Sequence, residues 1–392
     1  MAVIYLDNCS TTRVHDEVVD AMLPYLREDF GNPSSPHVLG KRARRAVDGA
    51  LERIAALVGS RPTDLVLTSG ATESNNLVLQ GLFPDRLPDD EDRAAAVLCP
   101  IDHKSALEVG RALADRGVPV RTMSVGPDGR VDLTSLAEVV GTDARVASVA
   151  WVNSEIGTVQ PVDRIARICH DGGCLLHVDA AQAVGRIPVD VTATGVDTVA
   201  FTAHKIHGPK GIGALYVDPA VRPRLRPLLF GGGQFPLRSG TIATHLVVGF
   251  GKAAELALER LAENRHRVTE LRETAVKRLA AHVPEMRLNG DPSVAVPHVI
   301  NVVLPGIRGE SLIAGLGTVA VSTGSACNSA SQKPSHVLLE IGVDEEDANS
   351  SIRICLDPRM PAEELVRGID LLGGRVRRLT GLDPLDPAEL AG

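Results

Sequence analysis

The segment Thr202-Ala-His-Lys-Ile-His-Gly-Pro-Lys-Gly211 gathers two lysines and two histidines among glycines, directly after the apolar run Thr198–Phe201. Lys205 lies at the tip of that run. Its stem can reach across a site, and its amine, unlike a guanidinium, can lose a proton and act as a nucleophile. Lys210, three residues beyond His207, is better placed toward a loop or a phosphate. A second apolar run, Leu175–Val178, ends in Asp179-Ala-Ala-Gln182. That leaves a carboxylate at a strand tip, as helix cap, metal ligand or counter-ion. A third run, Asp64–Thr68, leads into Ser69-Gly-Ala-Thr-Glu-Ser-Asn-Asn76. There a glycine before a helix start offers free N–H groups and the positive end of a dipole to an anion, although Ser and Thr also begin helices simply to cap them.

Ligands of open α/β sheets bind beyond the carboxyl ends of the strands, so polar groups in these positions belong to one candidate site. An anion cup, a carboxylate and a lysine able to form an imine are together what pyridoxal 5'-phosphate requires: one holds its phosphate, one keeps its ring nitrogen protonated, and one forms the Schiff base. Pyridoxal phosphate is therefore the expected cofactor. The chain has only seven lysines, and two of them sit at this tip.

The elements that must carry these residues are legible as apolar runs separated by helical spacing. Asp64–Thr68, Ala96–Cys99, Val146–Trp151, Leu175–Asp179, Thr198–Phe201 and Gly213–Val217 are unbroken, as strands covered on both faces are. Ala43, Val47, Ala50, Leu51, Ile54 and Leu57 follow helical spacing up to Gly59, a natural C-terminal cap, and Val162–Cys169 is similar. Strand and helix alternation predicts an α/β fold with a large, mostly parallel sheet. After Gly249 the texture changes: a long charged helical stretch, Lys252–His282, precedes strands at His298–Leu304, Val319–Ser322 and Ser351–Leu356 and a last helix at Ala362–Arg378. This predicts a smaller α+β domain. The expected division is residues 1–15 as an N-terminal segment packing on the small domain, 16–250 as the large cofactor-binding domain, and 251–392 as the small domain.

Composition narrows the function further. The 392 residues are 44% hydrophobic and 23% charged, with a net charge of −8 and 3% aromatics. Neither general attraction to nucleic acid or an anionic membrane nor a base-stacking platform is expected from these values. No stretch approaches the roughly 18 apolar residues of a membrane span, and Met1–Asn8 lacks the form of a signal peptide, so a cytoplasmic location is expected. Six scattered cysteines show no disulfide framework and no zinc-ligand spacing, so no metal is expected. On its own, His103 is an ordinary hydrogen-bonded histidine before a helix, and Arg353 a structural ion-pair residue. Cys327, in the small, polar segment Ser322-Thr-Gly-Ser-Ala-Cys-Asn-Ser-Ala-Ser331, stands between an inert and a reactive thiol.

Tyr5-Leu-Asp7, Asn32-Pro-Ser-Ser35, Thr68–Asn76, Asp102-His-Lys-Ser105, His177-Val-Asp-Ala-Ala-Gln182, His204–Gly213, Arg238-Ser-Gly-Thr241 and Ser322–Ser331 occur in an order that spans nearly the whole chain. With these motifs it resembles the NifS/IscS-type cysteine desulfurases, a branch of the class V aminotransferases with the fold-type I pyridoxal phosphate architecture, and specifically the group with a long catalytic loop. The resemblance implies that Lys205 carries the cofactor, Asp179 pairs with its ring nitrogen, His103 stacks on the ring and takes part in catalysis, and Gln182 bonds the phenolic oxygen. Ala71, Thr72, Thr202 and His204 would hold the phosphate, with Thr241 reaching the partner subunit's phosphate in a homodimer. Asn153 and Ser154 would lie near the ring, with Asn153 also toward substrate. Arg353 would bind the substrate carboxylate and Cys327 would be the nucleophile.

The implied activity is conversion of L-cysteine to L-alanine, with sulfur held as a Cys327 persulfide for an acceptor protein. Relatives serve iron–sulfur scaffolds, RNA thiolation or DNA phosphorothioation. The alternative is a selenocysteine lyase or another aminotransferase-like enzyme. Departures from the family pattern are Ser154 where a second Asn is usual, a shortened loop at 231–238, Asn349 for His, Ile354-Cys-Leu-Asp357 for a Phe-Ser-Leu-Gly type, and Cys9 at a normally small position.

Overall fold

β1 (Ile4–Tyr5) is followed by seven strands drawn mostly from the apolar runs: β2 (Leu65–Thr68), β3 (Ala95–Leu98), β4 (Val120–Thr122), β5 (Ala144–Ala150), β6 (Leu175–Asp179), β7 (Thr198–Thr202) and β8 (Gly213–Val217). Later in the chain come β9 (Arg287–Leu288), β10 (Val299–Val303), β11 (Val319–Ala320) and β12 (Ser351–Cys355). The computed structural model describes residues 3–83, 95–232, 237–323, 333–383 and 385. Cys327, the expected nucleophile, lies outside the described residues.

β2 to β8 form one sheet in the order β2-β8-β7-β6-β5-β3-β4. All neighbours are parallel except that β8 runs against both β2 and β7. The two reversals cancel, so β2 ends at the same sheet edge as β3, β5, β6 and β7. Alternation of side chains sends Leu65 and Leu67 into one apolar cluster and Val66 into another on the opposite face. Both clusters are roofed by helices, which explains why the strands are apolar without a break. Among the helices, Val38–Val58 buries Ala43, Val47, Ala50, Leu51, Ile54 and Leu57 and closes at Gly59 with φ 67°, the left-handed turn that glycine adopts without strain.

The stretch expected as one helix from Lys252 to His282 is two. Thr244–Glu259 packs on the helices Asp16–Arg27 and Val38–Val58, whereas Leu261–His282 packs on the last helix, Ala362–Thr380. The chain therefore changes packing partners at Arg260, between the two helices. In the small unit β12, β10 and β9 form an antiparallel sheet, and β1 pairs in parallel with β11. Ile4 and Leu6 join Leu271, Val302, Ile352 and Leu372 in its core, so the start of the chain is built into this unit. Among the described residues no helix is long and apolar enough to cross a membrane.

Candidate active site

A cleft of about 660 Å³ opens at the carboxyl edge of the large sheet. It is lined by Ala71, Thr72, His103, Asn153, Ser154, Asp179, Gln182, Thr202, His204, Lys205 and Arg353. Of the described residues given a site role from sequence, Thr241 is not in that lining; it is exposed on this chain and follows Gly240, whose φ is 115°.

The anion cup follows from β2. After Thr68 the chain turns through Gly70 into the helix Ala71–Gly81, which has no side-chain cap, so its first-turn N–H groups face the cleft. β8 makes room for this turn: a Cβ on Gly213 would sit 2.7 Å from the Gly70 Cα. Glu73 steadies the turn by accepting from Ser69 N at 2.8 Å, and Arg238 neutralises it at 3.0 Å. These free donors, with Lys210 at the cleft's rim, fit a phosphate monoester. The Thr202 hydroxyl donates to Ile212 O at 3.1 Å, which leaves it as an acceptor.

β7 ends at Thr202, and a single turn, Ala203–Lys205, swings Lys205 into the cleft. Its Nζ donates to the carbonyls of Cys9 and Ser10, the latter at 2.9 Å. Burial, with repulsion from Arg186 and Arg353, brings its pKa down to about 8. An amine so lowered suits nucleophilic and proton-transfer work. His204 next to it is pushed down to about 4, chiefly by burial and also by Lys205 and Lys210, and is therefore neutral.

Asp179 ends β6. Its Oδ1 takes the Ala181 N–H at 2.9 Å and its Oδ2 the Asn75 amide at 2.7 Å. In the turn after β3, the buried Asp102 carboxyl group accepts from Ala150 N at the end of β5 at 2.8 Å, which fixes the turn that presents His103 as N-cap of the helix Lys104–Asp115. Burial raises the Asp102 acid well above the usual carboxylate range. Gln182 is committed within the protein: Nε2 donates to Cys9 O at 2.9 Å and Oε1 accepts from Arg186. Asn153 likewise accepts from Glu155 N and Ile156 N and donates to Ile101 O, which makes its amide the brace of the 153–157 turn.

Arg353, on β12, closes the far side of the cleft. It donates to Ser154 O, Asp7 Oδ1 and Ser10 Oγ, each at 2.9 Å, and is 5% exposed. Its Nε is buried without a partner. Arg353 lines the cleft, and its guanidinium charge there is what an incoming carboxylate would pair with. Among the departures from the family pattern, Cys9 lines the cleft, and Cys355 is buried close enough to it for the two thiols to influence each other. Burial opposes ionisation of both, but bonds from Cys355 and His298 and the Arg186 charge bring Cys9 well below its ordinary value while Cys355 rises.

Asp7, Ser10, Asn75, Ser105 and His177 had been assigned no role from sequence. Asn75, Ser105 and His177 lie inside quoted motifs, but nothing local marks an amide or hydroxyl as aimed at a neighbour far along the chain.

Residues 4–367 match the family described as aminotransferase class-V. The chain belongs to that family. Within it, the chain is 42% identical to "Cysteine desulfurase, mitosomal" of Encephalitozoon cuniculi over 97% of its own length and 88% of that protein's, and 40% identical to "Cysteine desulfurase IscS" of Methylobacillus flagellatus, over 99% and 96% respectively. A solved structure titled "NIFS-LIKE PROTEIN" superimposes with a TM-score of 0.89 at 35% identity, covering 97% of this chain and all of that one. The class V frame accounts for the large sheet, the smaller unit and the cleft between them.

Proposed function

We propose that the protein is a pyridoxal phosphate-dependent cysteine desulfurase that converts L-cysteine to L-alanine and holds the sulfur as a persulfide on Cys327 for an acceptor protein. The observation that carries this reading is the one cleft that joins an uncapped helix start, a strand-tip carboxylate, a lysine lowered to about 8 and a buried arginine.

Ala71 and Thr72 hold the phosphate through their backbone N–H groups, Asp179 holds a proton on the ring nitrogen, and Lys205 anchors the group through its amine. When bound, pyridoxal phosphate supplies an electron-poor ring that stabilises negative charge next to the substrate's amine. The Arg353 guanidinium takes the substrate carboxylate, with Asp7 and Ser10 holding it in place. Lys205, its amine released when the substrate's amine takes its place, would then move the substrate's α-proton. The Cys327 thiolate attacks the substrate sulfur: the new S–S bond forms as the Cβ–S bond breaks, and Cβ gains a proton, so that L-cysteine plus a thiol give L-alanine plus a persulfide. A homodimer in which Thr241 enters the partner's cup is supported by the exposure of Thr241 and of the nearby apolar Leu229 and Phe230. Five buried, unpaired cysteines among the described residues support a reducing, cytoplasmic setting.

The test is reconstitution with pyridoxal phosphate followed by L-cysteine. Alanine and a persulfide should form together. Cys327→Ala should keep the cofactor and yield neither product, and alanine made at the unaltered rate by that variant would overturn the mechanism.

A further inference from the structure

The two residues expected to face the cofactor ring, Asp179 and His103, are linked beneath the cleft floor by a third side chain. Asn75 lies in the helix Ala71–Gly81 and is fully buried. Its amide nitrogen donates to Asp179 Oδ2 at 2.7 Å and to Ser105 Oγ at 2.8 Å. A carboxylate only accepts, so this end of the amide is the NH₂ group and both of its hydrogens are used. The amide oxygen then faces His177 Nε2 at 3.0 Å, which makes that ring nitrogen the donor, while His177 Nδ1 accepts from the Thr198 hydroxyl at 2.8 Å. Burial holds His177 neutral, at about 4, as a ring that donates on one side and accepts on the other must be.

The Ser105 hydroxyl, accepting from Asn75, has its own proton available for His103 Nδ1 at 2.8 Å, and the same nitrogen also accepts the Ser105 N–H at 3.1 Å. With Nδ1 occupied by two donors, the neutral ring carries its proton on Nε2. Any proton that His103 exchanges in the cleft therefore passes through Nε2.

We propose that Asn75 is a positioning residue that couples Asp179 and His103 into one hydrogen-bonded unit, so that a single buried amide orients both the carboxylate at the ring nitrogen and the imidazole on the ring face. The inference rests on the cofactor reading above. Its two arms are separable: the Asp179 arm governs how the ring nitrogen is held, and the Ser105 arm governs only how His103 is aimed.

The test compares Asn75→Ala and Ser105→Ala with the unaltered protein, each loaded with pyridoxal phosphate. Read for each are the dissociation constant for pyridoxal phosphate, the visible absorbance and its circular dichroism across pH, and kcat and KM for L-cysteine. Loss of a hydrogen bond to a buried charged group predicts about tenfold to hundredfold weaker cofactor binding for Asn75→Ala, together with a shifted pH midpoint of the visible band. Ser105→Ala, which leaves the Asn75–Asp179 bond in place and is the milder change should Asn75→Ala fail to fold, is expected to keep cofactor affinity and the midpoint of the band, and to lower kcat at constant KM. A folded Asn75→Ala protein with unaltered affinity and spectrum, or a Ser105→Ala protein with unaltered kcat, would overturn the coupling. If the unaltered protein itself takes up no pyridoxal phosphate, the functional reading fails first.

Discussion

The two walls of the cleft are built on different plans. On the cofactor wall, Lys205, Asp179 and the start of the helix Ala71–Gly81 come directly off the ends of three strands of one sheet, and the links among them stay inside the large unit. On the substrate wall, Arg353 is held by Asp7, Ser10 and Ser154, residues 346, 343 and 199 positions away. Lys205 and Gln182 also reach the carbonyls of Cys9 or Ser10, but the groups proposed to hold the cofactor stand on one sheet edge, whereas recognising the substrate's carboxylate needs three distant pieces of chain to meet. Damage to one wall should therefore register separately from damage to the other.

The largest effect is expected on the cofactor wall. Lys205→Ala should lower alanine formation by at least about a thousandfold, the scale of losing an essential catalytic group, and abolish any borohydride-reducible link between protein and cofactor. A reducible link mapped to Lys210 would move the anchor off the strand tip.

On the substrate wall, Asp7→Ala leaves the Arg353 guanidinium buried without its carboxylate, at a cost of about 3–5 kcal/mol. Thermal unfolding should detect the loss. KM for L-cysteine should rise while affinity for pyridoxal phosphate stays close to that of the unaltered protein. A fall in cofactor affinity matching the rise in KM would break the distinction between the walls.

A third effect separates the walls by pH. Lys205 is lowered in the fold from 10.5 to about 8, so between these values the unfolded chain binds the extra proton. In cofactor-free protein this one group therefore destabilises the fold below pH 8, and the penalty, about 3 kcal/mol in all, is relieved as pH rises toward 10.5. Lys205→Met should remove that rise from the pH dependence of unfolding, and Asp7→Ala should retain it.

The smallest effect is at the half-buried pair Arg238–Glu73, which braces the cup from outside. Arg238→Ala should weaken binding of pyridoxal phosphate by only a few-fold, on the order of 1 kcal/mol, without altering KM for L-cysteine.

The same contrast governs what could be read from sequence. The cofactor wall was legible because strands buried on both faces are unbroken apolar runs, so Asp179 and Lys205 stand out among the polar groups at their ends. β4 escaped because Val120-Arg-Thr122 is a three-residue edge strand, only partly covered. The break at Arg260 carries no glycine or proline, and both helices keep an apolar stripe, so only the change of packing partner reveals it. On the substrate wall, Arg353 was found through family resemblance alone. Asp7 and Ser10 gave no signal as its partners, since the hydrogen bonds that define them join opposite ends of the chain.

The parallel pairing of β1 with β11, together with the bonds from Asn8 and Asp7 to Cys355 and Arg353, has a consequence for biosynthesis. A ribosome releases residues 4–10 well before their partners, 347 residues earlier in the case of Asn8 and Cys355. At about 5–20 residues per second, that interval is on the order of tens of seconds. Throughout it Ile4 and Leu6 have no core to enter. The large sheet can fold as it emerges, but the nascent chain cannot complete the substrate wall. Competence to bind cysteine is thus delayed until translation has passed β12, so a half-made polypeptide cannot begin releasing sulfur.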